Sequence, residues 1–131
     1  MYKRQVGAAS SCDIDGEPLP FAPKWKLHGD AAYTIRLSDA FSLQLDSDYS
    51  WQSKTQYQLT ETPDTIQPAY GIWNASIALI AKDGWQLRGL VKNIANKHYA
   101  SYLGAGTLGG LVRFVPRDDD RYFGVIASAK F

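Results

Sequence analysis

The chain has 131 residues, a formal net charge of +1 and a composition that is 45% apolar and 13% aromatic. Such a length fits one domain, the apolar share excludes a disordered chain, and the charge balance gives no electrostatic reason to expect a nucleic-acid partner. No apolar run approaches the ~18 residues of a membrane helix; the longest covers residues 77–81. That excludes helical spans only, because barrel strands alternate and escape a hydropathy window.

The opening MYKRQVGAASSC has a basic pair and then small residues up to Cys12, the single cysteine. It lacks an apolar stretch, so it is expected to be neither a lipoprotein signal nor an export signal. Cys12 reads as an inert thiol or as half of a disulfide. Asp13-Ile14-Asp15-Gly16 has the carboxylate spacing that starts a calcium loop, but the later ligands are missing and a turn is expected.

Helix caps and a sustained 3.6-residue period are absent, whereas period two recurs along the chain. The first expected strand, residues 25–36, carries Trp25, Leu27, Gly29, Ala31, Tyr33 and Ile35 on one face. The second, residues 41–52, carries Phe41, Leu43, Leu45, Ser47, Tyr49 and Trp51. Residues 72–81 form the third, with Trp73, Ala75, Ile77, Leu79 and Ala81, and residues 85–94 the fourth, with Trp85, Leu87, Gly89 and Val91. The last, residues 121–131, alternates through Phe123, Val125, Ala127 and Ala129 to Phe131. An all-β, antiparallel up-and-down meander of about five long strands follows.

Connections alternate in length. Residues 37–40 and 82–84 are tight turns, the latter with an Asp-Gly pair suited to hairpins. Residues 53–71 and 95–120 are long and polar or glycine-rich, which puts the short turns at one end of the sheet and the long loops at the other. Outer-membrane barrels have that asymmetry.

The two faces differ as sharply. Trp25, Trp51, Trp73 and Phe123 fall at the long-loop rim of the apolar face, and Tyr33, Phe41, Trp85 and Phe131 at the short-turn rim. The eight steps between Phe123 and Phe131 span ~26 Å, or ~20 Å after a ~40° tilt, near the apolar band of roughly 25 Å between the aromatic girdles of such barrels. Lys26, His28, Asp30, Arg36, Gln44, Asp46, Asp48, Gln52, Asn74, Arg88, Lys92 and Lys130 lie on the other face. An unpaired buried charge costs several kcal/mol, so this face must meet water or a polar plug. Alternation by itself leaves a second arrangement open, a soluble sheet packing its apolar face on another sheet and binding an apolar ligand or a protein partner. The girdle, the loop asymmetry and the terminal Phe131 favour a membrane barrel. Five strands do not close one, so a longer protein is expected; assembly of several copies into a small pore is disfavoured by the odd strand count.

Four stretches carry a family resemblance. GEPLPFAPKWKL (residues 16–27), QPAYGIWNASIAL (67–79), GWQLRGLVKNIANKHYA (84–100) and PRDDDRYFGVIASAKF (116–131) resemble the late strands of TonB-dependent outer-membrane receptors. The most specific pieces are KNIANKHYA, with Asn93, Asn96 and Tyr99, and the RYFGV that opens the last strand. The resemblance implies a segment of a 22-stranded plugged barrel, with residues 1–24 as an outer loop segment and residues 25–131 as closing strands. It implies a bacterial outer-membrane location and TonB-energised import of a scarce nutrient such as ferric siderophore, haem, cobalamin or saccharide. The plug and the TonB-contacting part belong to the family's N-terminal region, which the resemblance leads one to expect outside these residues. Partners are then the lipid of the outer membrane, the barrel-assembly machinery, which reads a terminal aromatic such as Phe131, and the TonB system through that N-terminal part. Cys12 would sit on an outer loop, its partner upstream. Candidate solute contacts are Tyr57, Tyr99, Tyr102, Arg113 and Arg117.

Other motifs are weak. Gly104-Ala105-Gly106-Thr107-Leu108-Gly109 matches G-x-G-x-x-G, but a nucleotide fingerprint needs a following helix, and a strand is expected next. Asp118-Asp119-Asp120, between Arg117 and Arg121, reads as a solvated loop end before it reads as a cation site. His28 and His98 stand alone in sequence and suggest neither a metal site nor a catalytic base. Asn74-Ala75-Ser76 is a formal glycosylation sequon but falls inside a strand. No serine stands beside a base to be activated, so neither catalysis nor a cofactor is expected.

Overall fold

The computed structural model describes residues 19–58, 63–106, 109–117 and 119–130. Cys12, the Asp13-Ile14-Asp15-Gly16 turn, Asp118 and Phe131 lie outside the described residues. In chain order the elements are β1 (Lys26–Arg36), β2 (Phe41–Gln52), β3 (Thr55–Gln56), a 3-10 turn (Pro63–Thr65), β4 (Ile66–Gln67), β5 (Tyr70–Ala81), β6 (Trp85–Lys92), β7 (Tyr102–Ala105), β8 (Leu111–Phe114) and β9 (Tyr122–Ala129). Among the described residues no helix is long and apolar enough to cross a membrane, which leaves crossing by strands untouched.

The long strands form one five-stranded antiparallel sheet in the order β1-β2-β5-β6-β9. Each long strand pairs with the next one in the chain, so the meander expected from period two is present. Its two tight turns have identifiable chemistry. Between β1 and β2 the Ser38 hydroxyl accepts from the amides of Ala40 and Phe41, both at 3.2 Å, as serines do in short turns. Between β5 and β6 the Gly84 amide closes onto the Ala81 carbonyl at 3.1 Å, and Gly84 holds φ +92°, a left-handed conformation that glycine adopts without steric cost.

Register fixes which side chains share a face, because directly opposed residues point the same way. One row across the apolar face reads Tyr33, Leu45, Ile77, Gly89, Val125; the next reads Ile35, Leu43, Leu79, Leu87, Ala127. Rows of the opposite face read Ala32, Asp46, Ser76, Leu90, Gly124 and Thr34, Gln44, Ala78, Arg88, Ile126. Among the described residues no second layer covers the apolar side: Ile77 is 48% exposed, Phe123 75% and Val125 76%. Among the described residues the sheet is open, with no partner strand on β1 or β9 beyond β2 and β6.

The long connections are more structured than expected. Instead of plain loops, residues 53–71 hold the β3–β4 pair and its 3-10 turn, and residues 95–120 hold the β7–β8 hairpin. A small apolar core of Tyr57, Ala100 and Leu103, with Tyr102 packed against it, joins the two. Apolar packing therefore concentrates in the cap, and the sheet is largely without it.

Candidate functional site

Three surfaces carry the chemistry of this chain: the apolar face of the sheet, its polar face, and the cap at the long-connection end.

On the apolar face the aromatic residues occupy the two ends. Trp51, Tyr49, Trp73 and Phe123 lie toward the cap; Tyr33, Phe41 and Trp85 lie toward the tight turns. Trp25 precedes β1 and stays beside β2, its amide donating to the Ser53 hydroxyl at 3.0 Å while its carbonyl accepts from the Ser53 amide at 2.9 Å. Phe41 and Trp85 meet edge to face with ring centroids 5.8 Å apart, and Ala81, buried, is the register partner of Phe41. Ser47 is the polar exception on this face and is satisfied. The Trp73 indole N–H donates to its Oγ at 2.7 Å, and that hydroxyl donates to the Asn74 carbonyl at 3.3 Å. Hydrocarbon offers polar groups no partner, so internal pairing is what such a surface requires.

The polar face carries a connected network. Arg88 Nη1 donates to Asp46 Oδ2 at 2.9 Å and to Ser76 Oγ at 3.0 Å, and Ser76 Oγ donates to the same carboxylate oxygen at 3.1 Å. Gln44 Nε2 donates to Asp46 Oδ1 at 2.7 Å. Turned about its last bond, the Gln86 amide presents its oxygen to Arg88 Nε at 3.2 Å and Nη2 at 3.3 Å. The Arg88 and Asp46 side chains are each 28% exposed, so the pair is neither dry nor freely hydrated. Ala78, the register partner of Arg88, is fully buried, and its small side chain leaves the guanidinium room to reach across β5. Nearer the cap Asn74 Nδ2 donates to Asp48 Oδ2 at 2.6 Å. His28, at the edge of this face, has Nδ1 2.9 Å from Ser50 Oγ and Nε2 3.9 Å from Asp30.

Asn93 fastens the cap to the sheet. Its amide donates to Asn74 Oδ1 at 2.9 Å; its side chain donates to the Lys97 and Asp119 carbonyls and accepts from the Lys97 amide at 2.8 Å. The side chain is 1% exposed and φ is +52°, a left-handed conformation that asparagine tolerates better than most residues. This turn ends β6 at Lys92, short of the residue 94 expected from periodicity. Asn96, at φ +49°, accepts from the Arg121 amide at 2.7 Å and so ties the far side of the connection to the approach to β9.

The five candidate solute contacts fall in the cap, in different settings. Tyr57 is buried, and its hydroxyl donates to the Ala100 carbonyl at 3.0 Å; burial raises its pKa above the usual phenol value. Tyr102 lies 5.9 Å from the rings of both Tyr57 and Phe21 and 5.7 Å from Phe114. Phe21 also meets Tyr57, at 5.4 Å, and its amide donates to the Gln56 carbonyl at 2.7 Å, so part of the segment before β1 belongs to the cap. Tyr99 is half-buried and stacks on Tyr70 at 4.4 Å. Arg113, on β8, and Arg117 are exposed.

Two weak motifs can now be placed. The glycine motif begins in β7 and is followed by β8, so no helix follows it; its Thr107 and Leu108 lie outside the described residues. His98 is not alone, which corrects the expectation from sequence: its Nδ1 is 3.6 Å from Asp119 Oδ2 and 3.4 Å from Asp120 Oδ1. A fold that returns residue 119 to residue 98 makes this cluster, and spacing along the chain does not show it.

An antiparallel meander with an uncovered apolar face, a paired polar face and a cap on one end is an open segment of β-barrel wall. A family model described as TonB dependent receptor-like, beta-barrel matches residues 2–94, and the chain belongs to this family of receptors, which is not an enzyme family. Comparison with curated proteins and with solved structures returned no match.

Proposed function

We propose that this chain forms part of the wall and outer cap of a TonB-dependent receptor in a bacterial outer membrane, close to the end of the barrel, and that the receptor imports a scarce nutrient. The observation that carries this reading is the uncovered apolar face, bounded at both ends by aromatic rings and backed by a paired polar face. Trp25, Trp51, Trp73 and Phe123 would lie at the outer headgroup level and Tyr33, Phe41 and Trp85 at the periplasmic one, where amphipathic rings are favoured. The ionic face then lines a hydrated lumen, which spares Asp46 and Arg88 the full cost of burial.

Within the cap Arg113 and Arg117 are the candidates for contact with an anionic solute, with Tyr99 and Tyr102 offering ring surface and Tyr57 supporting them from beneath. Ferric siderophores, haem, cobalamin and saccharides all fit the family. TonB engages the receptor through its N-terminal part, and Phe131 is the candidate aromatic for the assembly machinery. The soluble-sheet reading gains no support, since among the described residues no second layer covers the apolar face.

Uptake tests this directly. Cells lacking the receptor should fail to accumulate one radiolabelled nutrient of these classes under limitation, and loss of TonB should have the same effect. Accumulation unchanged for every class, with the protein in the soluble fraction, would refute the proposal.

A further inference from the structure

We propose that His98, Asp119 and Asp120 bind a divalent transition-metal ion of the zinc class at the base of the cap, independently of which solute the receptor carries. One donor atom from each residue lies within 4.8 Å of the other two. Around a tetrahedral ion with bonds of about 2.1 Å, neighbouring donors stand about 3.4 Å apart. The separations from His98 Nδ1 to the two carboxylates are 3.4 and 3.6 Å. These are too long for charge-assisted hydrogen bonds, which run at about 2.7–2.9 Å. The imidazole nitrogen therefore faces both carboxylates without a hydrogen bond to either.

The surroundings hold this arrangement in place. Asn93 bonds to both main-chain groups of Lys97, next to His98, and to the carbonyl of Asp119. Asn96 holds the amide of Arg121, next to Asp120. Both chain segments are thus fixed within one residue of each donor. Arg121 Nη1 points to the Ile94 carbonyl at 3.4 Å.

Donor chemistry selects the ion. Calcium and magnesium prefer all-oxygen shells, whereas an imidazole with two carboxylates suits zinc, cobalt or nickel. Three protein donors leave a fourth position open to water or to an external ligand. Bound there, the ion would clamp the segment after β6 to the approach to β9. Asn93 is a positioning residue for this site.

The test uses the receptor purified in detergent, stripped with chelator and titrated with Co²⁺ and then Zn²⁺. Expected are the visible d–d bands of one low-symmetry Co²⁺, displaced by Zn²⁺ and not by equal Ca²⁺ or Mg²⁺. His98→Ala should abolish the bands, and Asp119→Asn and Asp120→Asn should each weaken binding at least about tenfold. Cys12→Ser and His28→Ala, which alter other possible ligands, should leave binding unchanged. If His98→Ala does not yield a heat-modifiable barrel, His98→Gln takes its place. Absence of the Co²⁺ bands, their survival in the His98 variant, or their loss on changing Cys12 or His28 would each overturn the assignment.

Discussion

The wall and the cap are stabilised in different ways. The cap has a conventional if small interior, in which Tyr57, Ala100 and Leu103 exclude water and polar groups such as Gln67 Oε1, bonded to the Ala100 amide at 2.7 Å, are satisfied internally. The five-stranded wall has almost no interior. Its strands are held by ladder hydrogen bonds and by a polar network on one face, and among the described residues no second layer covers its apolar side chains. The cap can be understood from its own contacts. The wall is complete only when the media on its two sides are included.

That difference can be broken at several points. The largest effect is expected from a charge on the apolar face: Ile77→Arg should destabilise the membrane-inserted barrel by about 2–4 kcal/mol and lower the heat-modifiable fraction on gels. The same charge at Ala32, on the polar face, should leave that fraction almost unchanged. Asn93→Ala should cost about 2–3 kcal/mol, since it leaves the Lys97 and Asp119 main-chain groups without their partner and puts alanine in a left-handed conformation. Proteolysis between residues 95 and 120 would reveal it, with the wall still folded.

Smaller effects sharpen the contrast. Arg88→Ala should lower barrel stability by about 1–2 kcal/mol, discounted because the pair is partly hydrated; a double-mutant cycle with Asp46→Asn in urea measures the coupling. Tyr57→Phe should cost about 1 kcal/mol, confined to the cap. Its pH dependence has a definite sign. Because burial raises the phenol pKa in the folded state, the phenol's contribution is present in full below the unfolded value near ~10 and is lost as pH rises through the folded value. Phenolate absorbance should lose one late-ionising tyrosine in Tyr57→Phe.

Much of the wall was legible in the sequence, because period two assigns every residue of a long strand to a face, and Ser38 and Gly84 mark tight turns. Register was not: the faces of Asp46, Ser76 and Arg88 could be read, but not that β5 brings the three within reach of one another. The cap was missed because β3 and β4 are two residues each and β7 and β8 four, too short for a period to emerge. Asn93 and Asn96 stood out through the family resemblance, while their left-handed turns and cross-chain bonds needed the fold. His98 looked isolated because the residues that approach it lie beyond the β7–β8 hairpin.

Site-directed fluorophores read the solvent on each side of the wall directly. In a Cys12→Ser background, single cysteines replacing Leu45, Ile77 or Val125 on one face and Gln44, Asp48 or Gly124 on the other are labelled in the receptor reconstituted into vesicles. Labels at the first three positions should be quenched by brominated acyl chains and spared by iodide, and labels at the other three should show the reverse. Iodide quenching at Leu45, Ile77 and Val125 with no response to brominated lipid would contradict the assignment of this face to the membrane.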